Sequence, residues 1–71
     1  MSDILAYLAR NLKYYRAKSA LTQTELAQKS GVNRSHLASL ETDALPNVSV
    51  KTVEKLANAL GVTVFDLLKH E

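Results

Sequence analysis

Apolar residues recur along the chain at three- and four-residue spacing, and nowhere do they alternate with polar ones in the two-residue period of a half-buried strand. The first stripe is Ile4, Leu5, Leu8, Leu12 and Tyr15, with Arg10, Lys13 and Lys18 off it. That spacing predicts a helix from about Asp3 to Lys18 with the stripe facing inward. The second helix opens at Thr22-Gln23-Thr24-Glu25, a capping box in which the Thr22 hydroxyl accepts from the Glu25 amide and the Glu25 carboxylate accepts from the Thr22 amide. Leu26 and Ala27 then face inward, and Gly31 closes the last turn, because a left-handed residue there meets no Cβ clash.

A third helix follows at once. Asn33 is its N-cap, Val32 and Leu37 form a hydrophobic staple across the cap, and Leu37 and Leu40 face the core. Arg34, Ser35, Ala38 and Ser39 fall on the opposite side, a compact polar face. Residues Asp43 to Val48, with Pro46 and Asn47, read as a loop. Ser49 caps a fourth helix whose inward stripe is Val50, Val53, Leu56, Ala57 and Leu60, ended by Gly61. In the last segment Thr63 and Asp66 repeat the capping logic and Val62 and Leu67 the staple. The pattern predicts five helices, four short joins and an all-α domain.

Composition narrows what such a domain does. At 71 residues the chain is one small domain, since its apolar residues cannot be divided between two cores. With no cysteine there is no disulfide framework and no thiolate metal site. Apolar runs such as Val62 to Phe65 fall far short of the length that spans a bilayer, roughly 20 residues. The opening Met1-Ser2-Asp3-Ile4 lacks a basic leader before an apolar core, so a cytoplasmic protein is expected. Net charge is +2, unevenly placed: residues 1–40 carry six basic side chains against two acidic ones, residues 41–71 three against five. The basic front half suits an anionic partner. Catalysis has little to work with. No serine stands in a nucleophile motif, no glycine-rich phosphate loop is present, and His36 and His70 lack the spacing of paired metal ligands and read as surface histidines. No enzyme, metal, cofactor or small-molecule effector is expected.

The informative feature is the close pair of helices from Thr22 to Glu41, because a short glycine-containing turn makes their axes cross steeply. The run Gln23-Thr24-Glu25-Leu26-Ala27-Gln28-Lys29-Ser30-Gly31-Val32-Asn33-Arg34-Ser35-His36-Leu37-Ala38-Ser39-Leu40-Glu41 resembles the helix-turn-helix, over about residues 22–41, of the lambda-repressor-like, Cro-type (XRE family) DNA-binding proteins. The resemblance extends upstream to Arg16 and downstream through Asn47, Ser49 and Leu56-Ala57-Asn58-Ala59-Leu60-Gly61-Val62 to Leu67-Leu68. It implies a compact five-helix domain over residues 1–71 that binds double-stranded DNA as a transcriptional regulator, its recognition helix, about 33–41, in the major groove. The base contacts it implies are Asn33, Arg34, Ser35, Ala38 and Ser39, with Arg34 able to take guanine O6 and N7 in a bidentate contact. Thr22 and Gln23 at the start of the preceding helix, with Asn47 and Lys51, are the implied phosphate contacts. Arg16 and Glu41 stand where the family places an ion pair joining the first helix to the end of the recognition helix.

Two departures from the family pattern stand out. After Glu41 the family usually places a glycine and basic residues, whereas this chain has Asp43, Ala44, Leu45 and Pro46, a less basic loop. Phe65 occupies a position more often polar, where the aromatic either stays exposed and makes an associating surface or folds back onto the core. A homodimer joined through Phe65 and Leu68, on half-sites about 34–36 Å apart, is therefore expected. The length favours a stand-alone Cro-like repressor, restriction-modification controller or antitoxin, nucleoid-associated when bound. The rival reading is a protein-interaction module that keeps the fold without specific DNA binding.

Overall fold

The structure, a computed structural model, describes residues 4–42 and 47–70. Five helices follow one another: α1 (Ile4–Lys18), α2 (Gln23–Ser30), α3 (Arg34–Glu41), α4 (Val50–Leu60) and α5 (Val64–Leu68). Among the described residues there is no strand. The expected start of α1 at Asp3, and residues 43–46 of the expected loop, lie outside the described residues.

Local sequence sets the ends of these helices. The capping box of α2 is formed in both directions, Glu25 N donating to Thr22 Oγ1 at 3.0 Å and Thr22 N to Glu25 Oε1 at 2.8 Å. Thr63 and Asp66 make the same reciprocal pair at the start of α5, and the Ser49 hydroxyl caps α4 through Thr52 N. Gly31 and Gly61 terminate α2 and α4 at φ of 77° and 72°, the left-handed region that closes a helix. Helix α1 ends on the same motif without a glycine. Ala20 stands at φ 58°. Leu21 N donates to Arg16 O and Ala20 N to Ala17 O, the two bonds of a Schellman cap.

Helix α1 packs against α3 and α5, α2 against α3 and α4, and α4 against α5. Leu8, Leu12, Leu26, Leu37, Leu56 and Leu67 are fully enclosed where these elements meet, and Val32, Leu40, Val53, Ala57 and Ala59 complete the core. Each enclosed leucine contributes roughly 1.5–3 kcal/mol of burial. All of them except Leu67 come from the predicted stripes of α1 to α4. Val32 and Leu37 are both buried, as the staple requires.

Several positions depart from the periodic reading. Val50 is 68% exposed, because the first residue of α4 sits at the rim and the stripe reaches the core only at Val53. Ala59 takes a buried place instead. Ile4 is 48% exposed at the outer end of α1, one turn short of Leu8. Phe65 does not fold back onto the core: it is 71% exposed, and Leu67 fills the interior. Among the described residues no helix is long and apolar enough to cross a membrane.

Candidate nucleic-acid interface

The turn between α2 and α3 consists of Gly31, Val32 and Asn33, each with a separate task. Gly31 supplies the left-handed conformation, Val32 is buried and pins the turn to the core, and Asn33 caps α3. Asn33 Oδ1 accepts from Ser35 N at 2.8 Å and His36 N at 3.3 Å. With Leu37, Leu40 and Glu41 buried behind it, α3 leaves Arg34 and Ser35 exposed and Ala38 and Ser39 half-buried. The residues assigned to bases therefore share one outward side of α3 and its cap. Beside them, Thr24, Ala27, Gln28, Gly31, Val32, Asn33 and Arg34 line an open depression of about 510 Å³ between the two helices. Sequence reasoning does not single out Thr24 and Gln28, although their four-residue spacing opposite Leu26 marks a shared outer face.

The other end of α3 is fixed by a buried charged cluster. Arg16 Nε donates to Glu41 Oε2 at 2.7 Å and the guanidinium donates again to Glu41 Oε1 at 2.9 Å. This is a bidentate, charge-assisted pair, and Glu41 within it is only 2% exposed. A third Arg16 donor reaches Leu21 O at 3.0 Å, tying the α1–α2 turn into the same cluster. The hydrogen bonds from Arg16 to the Glu41 carboxylate raise the guanidinium pKa above its ordinary value. The predicted ion pair is thus present.

Gln23 belongs to this cluster too. Its Nε2 donates to Glu41 Oε1 at 3.0 Å, so the side chain assigned to phosphate is already spent on the carboxylate it helps satisfy. What the start of α2 offers an anion is backbone. Intrahelical bonding begins with Leu26 N to Thr22 O, and the Glu25 and Thr22 amides serve the capping box. Gln23 N and Thr24 N are left as free donors at the positive end of the helix. Lys51 and Asn47 are exposed near the start of α4. Lys51, Arg34 and Lys29 make no ion pair among the described residues.

Away from this face, α5 carries the exposed Phe65, while Leu68 is half-buried against the core and offers less surface than Phe65. Sequence reasoning missed Asn11, which is 1% exposed and donates through Nδ2 to Leu67 O at 2.8 Å and Lys69 O at 3.0 Å. Its only signal is a polar residue beside Leu12 on an otherwise apolar flank. His36 lies half-buried on α3, and the His70 ring lies 5.0 Å from that of Tyr7, tilted by 57°. Among the described residues no three histidine, cysteine or acidic side chains group as metal ligands would.

Comparison with known proteins agrees with this geometry. The helix-turn-helix family model matches residues 12–67. A hypothetical transcription factor of Neisseria meningitidis serogroup B is 35% identical over 66 residues, 93% of this chain and 61% of that protein. A crystal structure of the Neisseria factor superposes with a TM-score of 0.89 at 34% identity, covering 94% of this chain and 76% of that one. The transcriptional regulator SinR of Bacillus subtilis is 38% identical over 66 residues, 90% of this chain and 60% of SinR. SinR crystallised in complex with DNA superposes with a TM-score of 0.84 at 35% identity, covering 87% of this chain and 98% of the SinR chain. The control protein C.SmaI of Serratia marcescens is 38% identical over 69 residues, 97% of this chain and 81% of that protein. The chain spans about three fifths of the length of the Neisseria factor and of SinR. Fold, turn, caps and ion pair place the chain in the XRE-type helix-turn-helix family of transcription regulators.

Proposed function

We propose that this chain is a transcriptional regulator that binds double-stranded DNA sequence-specifically, with α3 in the major groove. The observation that carries the reading is an asymmetry within α3. Its inner side is held by Leu37, Leu40 and the buried Glu41. The outer side chains of Arg34, Ser35, Ala38 and Ser39 make no hydrogen bond or ion pair among the described residues. A rigid helix with an uncommitted polar face is what base-edge recognition requires. Gln23 N and Thr24 N would hold one phosphate, with Asn47 and Lys51 on a second, positioning the domain without reading sequence. Asn33 adds its remaining Nδ2 donors. SinR is known in complex with DNA, which favours this reading over an interaction module that has lost nucleic acid.

The working form in this reading is a homodimer, since one such module buries little surface on DNA, and the exposed Phe65 on α5 supports a contact between copies there. Likeness to the control protein C.SmaI supports a controller or repressor of the Cro type. Such a protein works in the cytoplasm, on the nucleoid, and needs no cofactor or effector. Titration of labelled duplexes selected from a random pool tests the reading. Affinity is expected to fall steeply with added salt and to drop by about tenfold or more in Arg34→Ala. Equal affinity of Arg34→Ala and the parent for a selected site would return the interaction module to first place.

A further inference from the structure

The chemistry of the outer side of α3 is unusually sparse, and that sparseness bears on what the protein reads. Resting on the DNA-binding reading above, we infer that direct readout in each half-site is concentrated on one guanine taken by Arg34 and one thymine methyl met by Ala38, with the remaining preference arising from the deformability of base pairs the protein does not touch.

Arg34 is the only long side chain on this side of α3, exposed and without an intramolecular partner among the described residues. Its planar fork matches guanine O6 and N7, a two-bond contact that rejects the other three pairs. Asn33 cannot make the corresponding two-bond contact to adenine. Its Oδ1 is occupied by Ser35 N and His36 N. Only donors remain, and adenine requires one acceptor from the protein and one donor. Ser35 and Ser39 carry a hydroxyl one bond from Cβ that both donates and accepts, and such a group tolerates more than one base. Ala38, half-buried between them in helical order, has only a methyl, whose favourable neighbour in the groove is the thymine C5-methyl. Small residues at 35, 38 and 39 also let the backbone of α3 approach the base edges closely.

Affinity has other sources. Arg10, Lys13, Lys18, Lys29 and Lys51 are exposed and make no ion pair among the described residues, and the free amides of α2 add to them. Contacts to phosphate carry no base preference. A protein whose binding comes mainly from the backbone and whose direct code is one strong pair gains further discrimination from how readily a site bends or narrows.

The test uses the full chain and duplexes it enriches from a random pool. The commonest sequence is remade with every single base-pair change, and with uracil in place of each thymine in turn. One G·C pair per half-site is expected to cost about 30-fold when changed, and Arg34→Ala to abolish that preference. Arg34→Lys should keep much of the affinity and lose most of the discrimination, which separates base reading from simple charge. One uracil replacement per half-site should cost about threefold, and Ser35→Ala and Ser39→Ala less than that. At least one change between the half-sites should alter affinity although no side chain reaches it. The inference is overturned if three or more pairs per half-site each cost about tenfold through Ser35 or Ser39, or if no guanine is fixed. Enrichment of no duplex even at low salt would instead defeat the DNA reading itself, before any base is varied.

Discussion

Helix α1 is tied to its two neighbours by two polar side chains, Asn11 and Arg16, and the ties differ in kind. Toward α3, Arg16 meets the buried carboxylate of Glu41 with two hydrogen bonds, and Gln23 and Leu21 complete the cluster. Toward α5, Asn11 is neutral and gives its amide hydrogens to carbonyls at the end of that helix. A charge pair removed from water gives little net stability but punishes the loss of one partner, whereas a neutral amide costs less to bury and less to remove. The stiffer tie stands behind the recognition helix. The softer one holds α5, a helix of 5 residues, too short to persist alone.

Breaking the charged tie should have the largest effect. Arg16→Ala strands Glu41, which is only 2% exposed. Because Arg16 itself reaches solvent, the loss is expected near the lower end of the range for buried pairs, about 3 kcal/mol in urea unfolding. That is much of the stability a domain of this size has. Replacing both partners together, Arg16→Met with Glu41→Leu, should restore most of it. If the double variant is no more stable than the single one, the stranded-charge account is wrong.

Asn11→Ala comes next. It leaves the carbonyls of Leu67 and Lys69 without their buried donor. The expected loss is about 2 kcal/mol. Amide hydrogen exchange should show protection lost first in α5 while α2 and α3 keep theirs. Uniform loss across all five helices would mean that the two ties are not separable.

A smaller change of opposite sign is expected where α1 turns into α2. Ala20 occupies a left-handed position. Such a position costs a residue with a Cβ roughly 1–2 kcal/mol, partly offset by the extra freedom glycine has when unfolded. Ala20→Gly should raise stability by about 0.5–1 kcal/mol, read as a higher midpoint in thermal unfolding.

The smallest effect is a pH dependence confined to α5. The Asp66 carboxylate accepts from the Thr63 amide first, then interacts with the Thr63 hydroxyl, with the Lys69 ammonium 3.8 Å away, and these hold its pKa below the ordinary 3.8. A carboxyl group depressed on folding contributes stability that is fully present above its unfolded value and disappears as pH falls through the folded one. On acidification below 3.8 the Thr63 amide resonance should shift toward an unbonded position. Its indifference would show that the capping bond does not form in solution.

Much of the recognition unit is legible without coordinates, because its signals are short in range. Thr22 with Glu25, Gly31, and Asn33 beside the staple of Val32 and Leu37 each act within one helical turn, and the structure forms each of them. The α5 side is less legible. Val50 satisfies the period of the α4 stripe but falls at the rim, and Ala59 escapes notice because alanine gives so weak an apolar signal. Ala20 hides a Schellman cap by not being glycine. Periodicity leaves the exposure of Phe65 open, since Leu67 competes for the same interior place and only packing decides which enters.

The chain by itself determined where most of the helices begin and end, because caps and glycine stops are written in neighbouring residues, and its resemblance to a family supplied the fold and the pairing of Arg16 with Glu41 across 25 residues. Tertiary structure alone decided the fates of the other polar side chains whose partners are distant in sequence. Asn11 finds its acceptors 56 and 58 residues away, and the Gln23 amide turns to Glu41, 18 residues on. Buried polar groups must be satisfied by whatever packing brings near, and no local pattern encodes that choice.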